Sequence, residues 1–416
     1  MSRKPEDQAP AFDLLLKGGR VIDPANGIDG AFDVGIREKQ IARLSKDIPA
    51  AAAMTVVDVS GHIVTPGLLD IHTHVYPFVA TEAAYVEGVN ADAHLLSSGV
   101  TTTVDAGTVG WKDFADFKEH YIDRAKVRIL AFLNIALGGM VDAASEQELD
   151  AMQPHVAAAL AQAYPDLIVG IKTAHYWTQH PWDAAHPPWA SVGRAIEAGE
   201  LCGKPVMVDF WPRPPERSYS DLLLTKLRPG DIHTHVFAQQ FPIVDEDGRV
   251  YDYLFEARER GVIFDLGHGA GSFWFRNAVP ALEGGFPPDS ISTDLHMGNI
   301  NGPVLSMLTT MSKYLSMGML LQDVIARSTV TPAREIGHPE LGTLSVGACA
   351  DVTVLERLEG TFGFTDCGRA KMSGSQKLIC AMTLRAGEIV YDPTGLSMPE
   401  WKQAPEPYWR RPDLQS

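Results

Sequence analysis

Short apolar runs that end in polar residues recur through the middle of the chain. They fall at 63–74 (IVTPGLLDIHTH), 99–107 (GVTTTVDAG), 127–136 (VRILAFLNIA), 167–174 (LIVGIKTA), 204–210 (KPVMVDF), 231–237 (DIHTHVF), 261–269 (GVIFDLGHG) and 290–296 (SISTDLH). Each has the length and apolar density of a strand buried on both faces. Stretches with helical spacing separate them, at 146–165, 189–203 and 251–261, and a long one at 304–328 follows the eighth run. Eight strand–helix repeats over residues 66–340 predict an α/β fold, a (β/α)8 TIM-like barrel. A doubly wound open sheet is the competing arrangement, but it binds ligand at one switch point, whereas here polar residues end nearly every run.

The flanks have a different texture. FDLLLKGGRVI (12–22) reads as strand, Gly-Gly turn and strand, and similar runs return at 350–358 and 376–392. Residues 1–65 plus 341–400 are therefore expected to form one small composite β-sandwich domain. Residues 66–340 would be the catalytic barrel and 401–416, rich in proline, an irregular tail.

Composition narrows the function. Hydrophobic residues make up 45% and charged residues 21% of the 416, an ordinary globular balance. The net charge of −17 argues against nucleic acid or an anionic membrane as partner. No apolar stretch approaches the roughly 18 residues of a membrane span, and the opening residues lack the apolar core of a secretory signal. A cytoplasmic address and a small-molecule substrate are expected. The four cysteines lie far apart without a CxxC pair, which disfavours a zinc ribbon or a disulfide scaffold.

In a parallel barrel the C-terminal strand ends carry the chemistry. His72 and His74 close the first run, and period-2 alternation puts both imidazoles on one face, half of a metal site. Lys172 sits in an otherwise apolar run. Burial lowers a lysine's pKa, and the neutral amine can add carbon dioxide to give a carbamate, a two-oxygen ligand able to bridge two cations. Asp294 ends the eighth run, where a carboxylate can hold a metal and serve as general base for water, or simply cap a helix. His235 is the sixth-strand ligand candidate. His233, two residues earlier, is the deeper of the pair and is read as packing. After Lys172, HYWTQHPWDAAHPPW passes over the barrel mouth; Trp177 there is a candidate substrate contact, with an oligomer contact or a plug as the other readings. Arg213, Arg217 and Arg276 lie near the same rim.

These pieces, together with LLLKGGRVIDP and LSVGACADVTVLE, resemble the amidohydrolase superfamily of metal-dependent hydrolases over residues 12–396, within it the dihydroorotase-like and deacetylase branch. The resemblance implies a barrel beside a composite β-sandwich, and two divalent ions, expected to be zinc, at the barrel mouth. His72, His74 and Asp294 would hold the more buried ion, Lys172 as N6-carboxylysine would bridge, and His235 would help to hold the second. Water activated between the ions would attack, with Asp294 the catalytic base. At the fifth-strand position, where the family supplies histidine, this chain has Asp209, expected to ligate or support the second ion. Tyr76 stands where dihydroorotases place an arginine for a substrate carboxylate, which points away from dihydroorotate. In the deacetylase-like branch His268 and His296 would lie near the substrate. The expected activity is hydrolysis of an amide or ester acyl bond in a small molecule, by a homo-oligomer. A cyclic amide hydrolase of the dihydroorotase or hydantoinase kind is the alternative. A non-catalytic assembly protein is the other, although such relatives lose the HxH pair or the lysine, both present here.

Overall fold

The computed structural model of the protein describes residues 10–77 and 86–410. The opening nine residues and the last six of the tail, both interpreted above from sequence, lie outside the described residues.

Seven parallel strands pair in chain order: Leu68–Thr73, Val100–Gly110, Arg128–Asn134, Ile168–Thr173, Val206–Val208, Ile232–His233 and Ile263–Phe264. The eighth run closes the ring through two parallel bridges, Asp265↔Ser290 on one side and Thr73↔Leu295 on the other. It forms no regular ladder. Thr293 gives its N–H and hydroxyl to the Asp70 carboxylate at 3.0 and 2.6 Å, and Asp294 takes a left-handed φ of +50°. The run's backbone still bonds to both neighbours: the Ser290, Ser292 and Thr293 carbonyls accept from Leu266, His268 and Gly269, and the Asp294 N–H donates to the His72 carbonyl. The fifth, sixth and seventh strands are likewise shorter than the runs at 204–210, 231–237 and 261–269.

Apolar side chains from six strands, Leu69, Val104, Leu130, Val169, Met207 and Ile232, form one cluster with Ala333 and Ile336. A cluster drawing on six strands lies inside the ring and fills it from below. The helices around the ring include Pro154–Ala163, Ala190–Cys202, Asp252–Glu259, Phe275–Glu283 and Met307–Ser316. Two differ from expectation. The run at 146–165 is helical only from Pro154, whose fixed φ suits a first helical turn. The long stretch at 304–328 is two helices, Met307–Ser316 and Leu321–Ala326, divided at Gly318, which has a φ of +95°.

The flanks meet in one eight-stranded sheet. Val352–Thr365 pairs antiparallel with Ile63–Pro66, which runs parallel beside Phe12–Asp23, so strands from both ends are neighbours. Leu16, Val34, Val64, Val354 and Met382 are in its core. The sheet is locked to the barrel by polar contacts. Asp351, itself buried, accepts from Arg128 at 2.6 Å and Arg385 at 3.2 Å, and the Thr353 hydroxyl donates to the Gly99 carbonyl at 2.6 Å.

A cavity of about 800 Å³ lined by Pro165, Lys204, Arg228 and Glu335 opens at the strand starts. That is the wrong end for barrel chemistry, and the site described next lies at the strand ends. No helix among the described residues is long and apolar enough to cross a membrane.

Candidate metal centre and active site

The structure brings His72, His74 and Asp294 together at the rim, with one ligand atom from each within 4.8 Å of the others. His74 Nε2 lies 3.0 Å and His72 Nε2 3.6 Å from Asp294 Oδ1. The outer ring nitrogens are committed elsewhere. The Thr234 hydroxyl donates to Asp265 at 2.7 Å, so it must accept from His72 Nδ1–H at 2.8 Å. Likewise the Thr108 hydroxyl donates to Asp105 at 2.7 Å and accepts from His74 Nδ1–H at 2.7 Å. Both histidines therefore present bare Nε2 lone pairs to a carboxylate. Three lone-pair donors converging without a proton between them form a poor hydrogen-bonded cluster and a good divalent cation site.

The electrostatics agree. Burial holds His72 neutral, down to about 3. Gly267 makes room behind the cluster. Its φ is +47°, and a Cβ there would come within 2.3 Å of Thr234 Oγ1 and 2.8 Å of His235 Nδ1.

Lys172 is wholly buried, its Nζ 3.5 Å from His72 Nε2. Burial lowers its pKa against the pull of Asp209 and Asp294, which favours the neutral, nucleophilic amine. Gly107, with φ +86°, gives the stem its passage, since a Cβ there would meet Lys172 Cγ at 2.6 Å.

Across from this group Asp209 Oδ2 lies 3.6 Å from His235 Nε2 and 3.6 Å from His175 Nε2. His235 Nδ1 donates to the Gly267 carbonyl at 2.5 Å. Burial works against the Asp209 charge, but His235, His175 and Lys172 pull its pKa down to about 2. His175 was not singled out in the sequence. It lies three residues past Lys172 at the start of the aromatic segment, and its Nδ1 faces buried Glu146 at 2.9 Å.

The remaining candidates scatter. His296 lies beside the first group, its ring centroid 6.2 Å from that of His74. His268 stacks on Phe273 at 4.6 Å, with Lys313 Nζ 2.6 Å from its Nε2. The Tyr76 hydroxyl donates to Asp116 at 2.7 Å, among the rings of Phe117 and Tyr121. Trp177 stacks face to face on His186 at 3.4 Å. Two rim arginines hold loops: Arg213 donates to the carbonyls of Trp177 and His180, and buried Arg217 donates to that of Tyr176. His233 is buried among Tyr219, Phe241 and Phe264. All four cysteines are unbridged.

No family model matches the chain. Among curated proteins, a deacetylase of Enterococcus faecalis is 30% identical over 384 residues, covering 92% of this chain and 99% of that one. A deacetylase of Brucella anthropi is 32% identical over 335 residues, 79% of this chain and 80% of its own. A dihydroorotase of Geobacter sulfurreducens is 51% identical over a stretch of 63 residues, 15% of each chain. Of solved structures, an adenine deaminase superposes with a TM-score of 0.81 at 29% identity over 92% of this chain and all of its own. A dihydroorotase does so with 0.77 at 27% identity, over 91% and 99%. With its full-length relatives, its barrel and its histidine–aspartate cluster, the chain belongs to the amidohydrolase superfamily of hydrolytic enzymes.

Proposed function

We propose that the protein is a metal-dependent deacylase that removes an acyl group from a small molecule by hydrolysing an amide or ester bond. The observation that carries this reading is the convergence of His72, His74 and Asp294 at the barrel mouth, in a chain whose full-length relative is named a deacetylase. In this reading those three residues would hold one divalent ion, and Lys172 as a carbamate, Asp209 and His235 would help to hold a second. Imidazole with carboxylate suits zinc. Bound ions would polarise the scissile carbonyl and bring the pKa of water towards neutrality.

The chain's own residues do the rest. In this reading Asp294 would accept the proton of the attacking water at its carboxylate and return it to the departing nitrogen or oxygen. The Asp265–Thr234 and Asp105–Thr108 pairs hold the two imidazoles in the tautomer that leaves Nε2 bare. In the same reading His296, beside His74, would orient the acyl group, and His268 would lie near the substrate. Trp177 and Tyr76 belong to the rim that selects the substrate. A homo-oligomer, a cytoplasmic address and domain divisions near residues 65, 341 and 400 belong to the same proposal.

The test is a panel of N-acyl amino acids, acyl esters and cyclic ureides, assayed with zinc-loaded enzyme before and after chelation. Acyl hydrolysis that falls at least 100-fold on chelation and returns with zinc supports the reading. Ring opening alone would favour the cyclic amide hydrolase, the activity that the dihydroorotase stretch points to. Turnover undiminished in stripped protein would refute the metal-dependent mechanism.

A further inference from the structure

We propose that Lys313 is a positioning residue for the catalytic base: acting through His268, it fixes the loop after the seventh strand against the Asp294 carboxylate. The proposal rests on the hydrolase reading above, in which Asp294 moves the proton, and adds a residue which that reading leaves out.

The contact to be held comes first. Asp294 Oδ1 lies beside both imidazoles, 3.0 Å from His74 Nε2 and 3.6 Å from His72 Nε2. The other oxygen, Oδ2, has the backbone of Gly269 against it. A Cβ at Gly269 would stand 2.5 Å from Oδ2, and the residue has a φ of +57°. A glycine in a left-handed turn is what allows so close an approach. In the hydrolase reading Oδ1 would be the oxygen on the ion side and Oδ2 the one left to carry a proton. A shift of Gly269 would therefore change the surroundings of the oxygen that matters.

The tether comes second. Lys313 lies on the helix Met307–Ser316 and is wholly buried. Its Nζ donates to the Pro303 carbonyl at 2.9 Å and lies 2.6 Å from His268 Nε2. An ammonium has only protons to offer, so Nε2 accepts, and Nδ1–H donates to the Gly269 carbonyl at 3.0 Å. One side chain thus joins the helix, the loop after the eighth run and the loop after the seventh strand. The ring it holds bonds the very residue that abuts Asp294.

The identity of the tether comes third. Burying an ammonium is costly, and buried polar links can often be exchanged for apolar side chains without loss of stability. Among the described residues no acid pairs with Lys313. Asp366, whose charge it feels, accepts instead from the Phe275 and Ala370 N–H groups at 3.1 and 2.8 Å. Burial accordingly brings the lysine down to about 7. An unbranched apolar residue would fill the same space beside Phe273, over whose ring Nζ sits at 5.4 Å. What a lysine adds there is the grip on His268, not packing.

The test compares zinc-loaded wild type with Lys313→Met and Lys313→Arg. Amide hydrogen exchange is read across residues 267–273, stability by melting temperature, and kcat and KM on the acyl substrate that the panel above identifies. In Lys313→Met we expect exchange across 267–273 to rise about tenfold, with melting temperature and zinc content kept. Its kcat should fall about tenfold or more while KM stays within about threefold. Lys313→Arg, which keeps a donor, should recover most of both losses. Wild-type exchange or wild-type kcat in Lys313→Met overturns the proposal while the hydrolase reading stands. A lower melting temperature with exchange raised evenly over the chain marks a purely structural lysine and overturns it too. If Lys313→Met does not fold, His268→Phe keeps a ring on Phe273 and removes the acceptor, and the same two readings decide. Wild type that turns over no acyl substrate overturns the hydrolase reading and this role together, whatever the variants do.

Discussion

His72 and His74 are each held through a hydroxyl that is itself held by a buried carboxylate. Thr108 can be tested without touching a proposed ligand. Thr108→Val keeps the shape and removes the acceptor for His74 Nδ1–H, so affinity for the ion at the His72–His74–Asp294 group should fall 10–100-fold while the melting temperature changes little; equilibrium dialysis against zinc reads the difference. Gly107→Ala should do more. A Cβ at φ +86° pressed to 2.6 Å from Lys172 Cγ displaces the lysine stem, and we expect loss of one ion together with a stability cost of about 1–3 kcal/mol, measured by denaturant titration. Much at this level was readable beforehand. His72, His74, Lys172, His235 and Asp294 announce themselves because each breaks an apolar run at a strand end. His175 gives no such signal. It follows the strand inside a run of aromatics, and its left-handed φ leaves no mark on a histidine. Glu146 was hidden for another reason, since it heads a stretch whose spacing reads as helix, whereas the α-helix there begins only at Pro154.

The loop from His175 to Trp189 shows how segments are fastened here. Arg213, from the loop after the fifth strand, donates to two of its carbonyls and lies over the Trp182 ring at 4.3 Å. Arg213→Ala should raise amide hydrogen exchange across residues 176–186 by at least tenfold and leave the strands protected. Trp177→Ala should raise KM for an aromatic acyl substrate several-fold more than it lowers kcat; an unchanged KM would remove Trp177 from the rim role. Strand order followed from hydrophobic spacing, but helix count and segment ends did not. The eighth run reads as a strand and makes only two bridges, because Asp70 claims the polar groups of Thr293. The break at Gly318 was visible as a glycine, although the apolar pattern runs straight through it.

Barrel and sheet are joined where Asp351 meets Arg128 and Arg385. Burial opposes its ionisation, but the two guanidinium groups hold its pKa below the ordinary carboxylate value. A lowered folded-state pKa stabilises above the unfolded value of about 3.9, and that stabilisation is lost as pH falls through the lower one. Asp351→Ala, which leaves two partly buried cations without their partner, should cost about 3–5 kcal/mol at pH 7 in urea unfolding, and the gap to wild type should narrow below about pH 4. The composite sheet also governs how the chain reaches this state. Ile63–Pro66 is translated early, while its neighbour Val352–Thr365 emerges only after the intervening barrel. Through that interval the nascent molecule carries a bare hydrogen-bonding edge, a template for pairing with another chain. Refolding should therefore lose yield as protein concentration rises, with misassembly growing faster than first order.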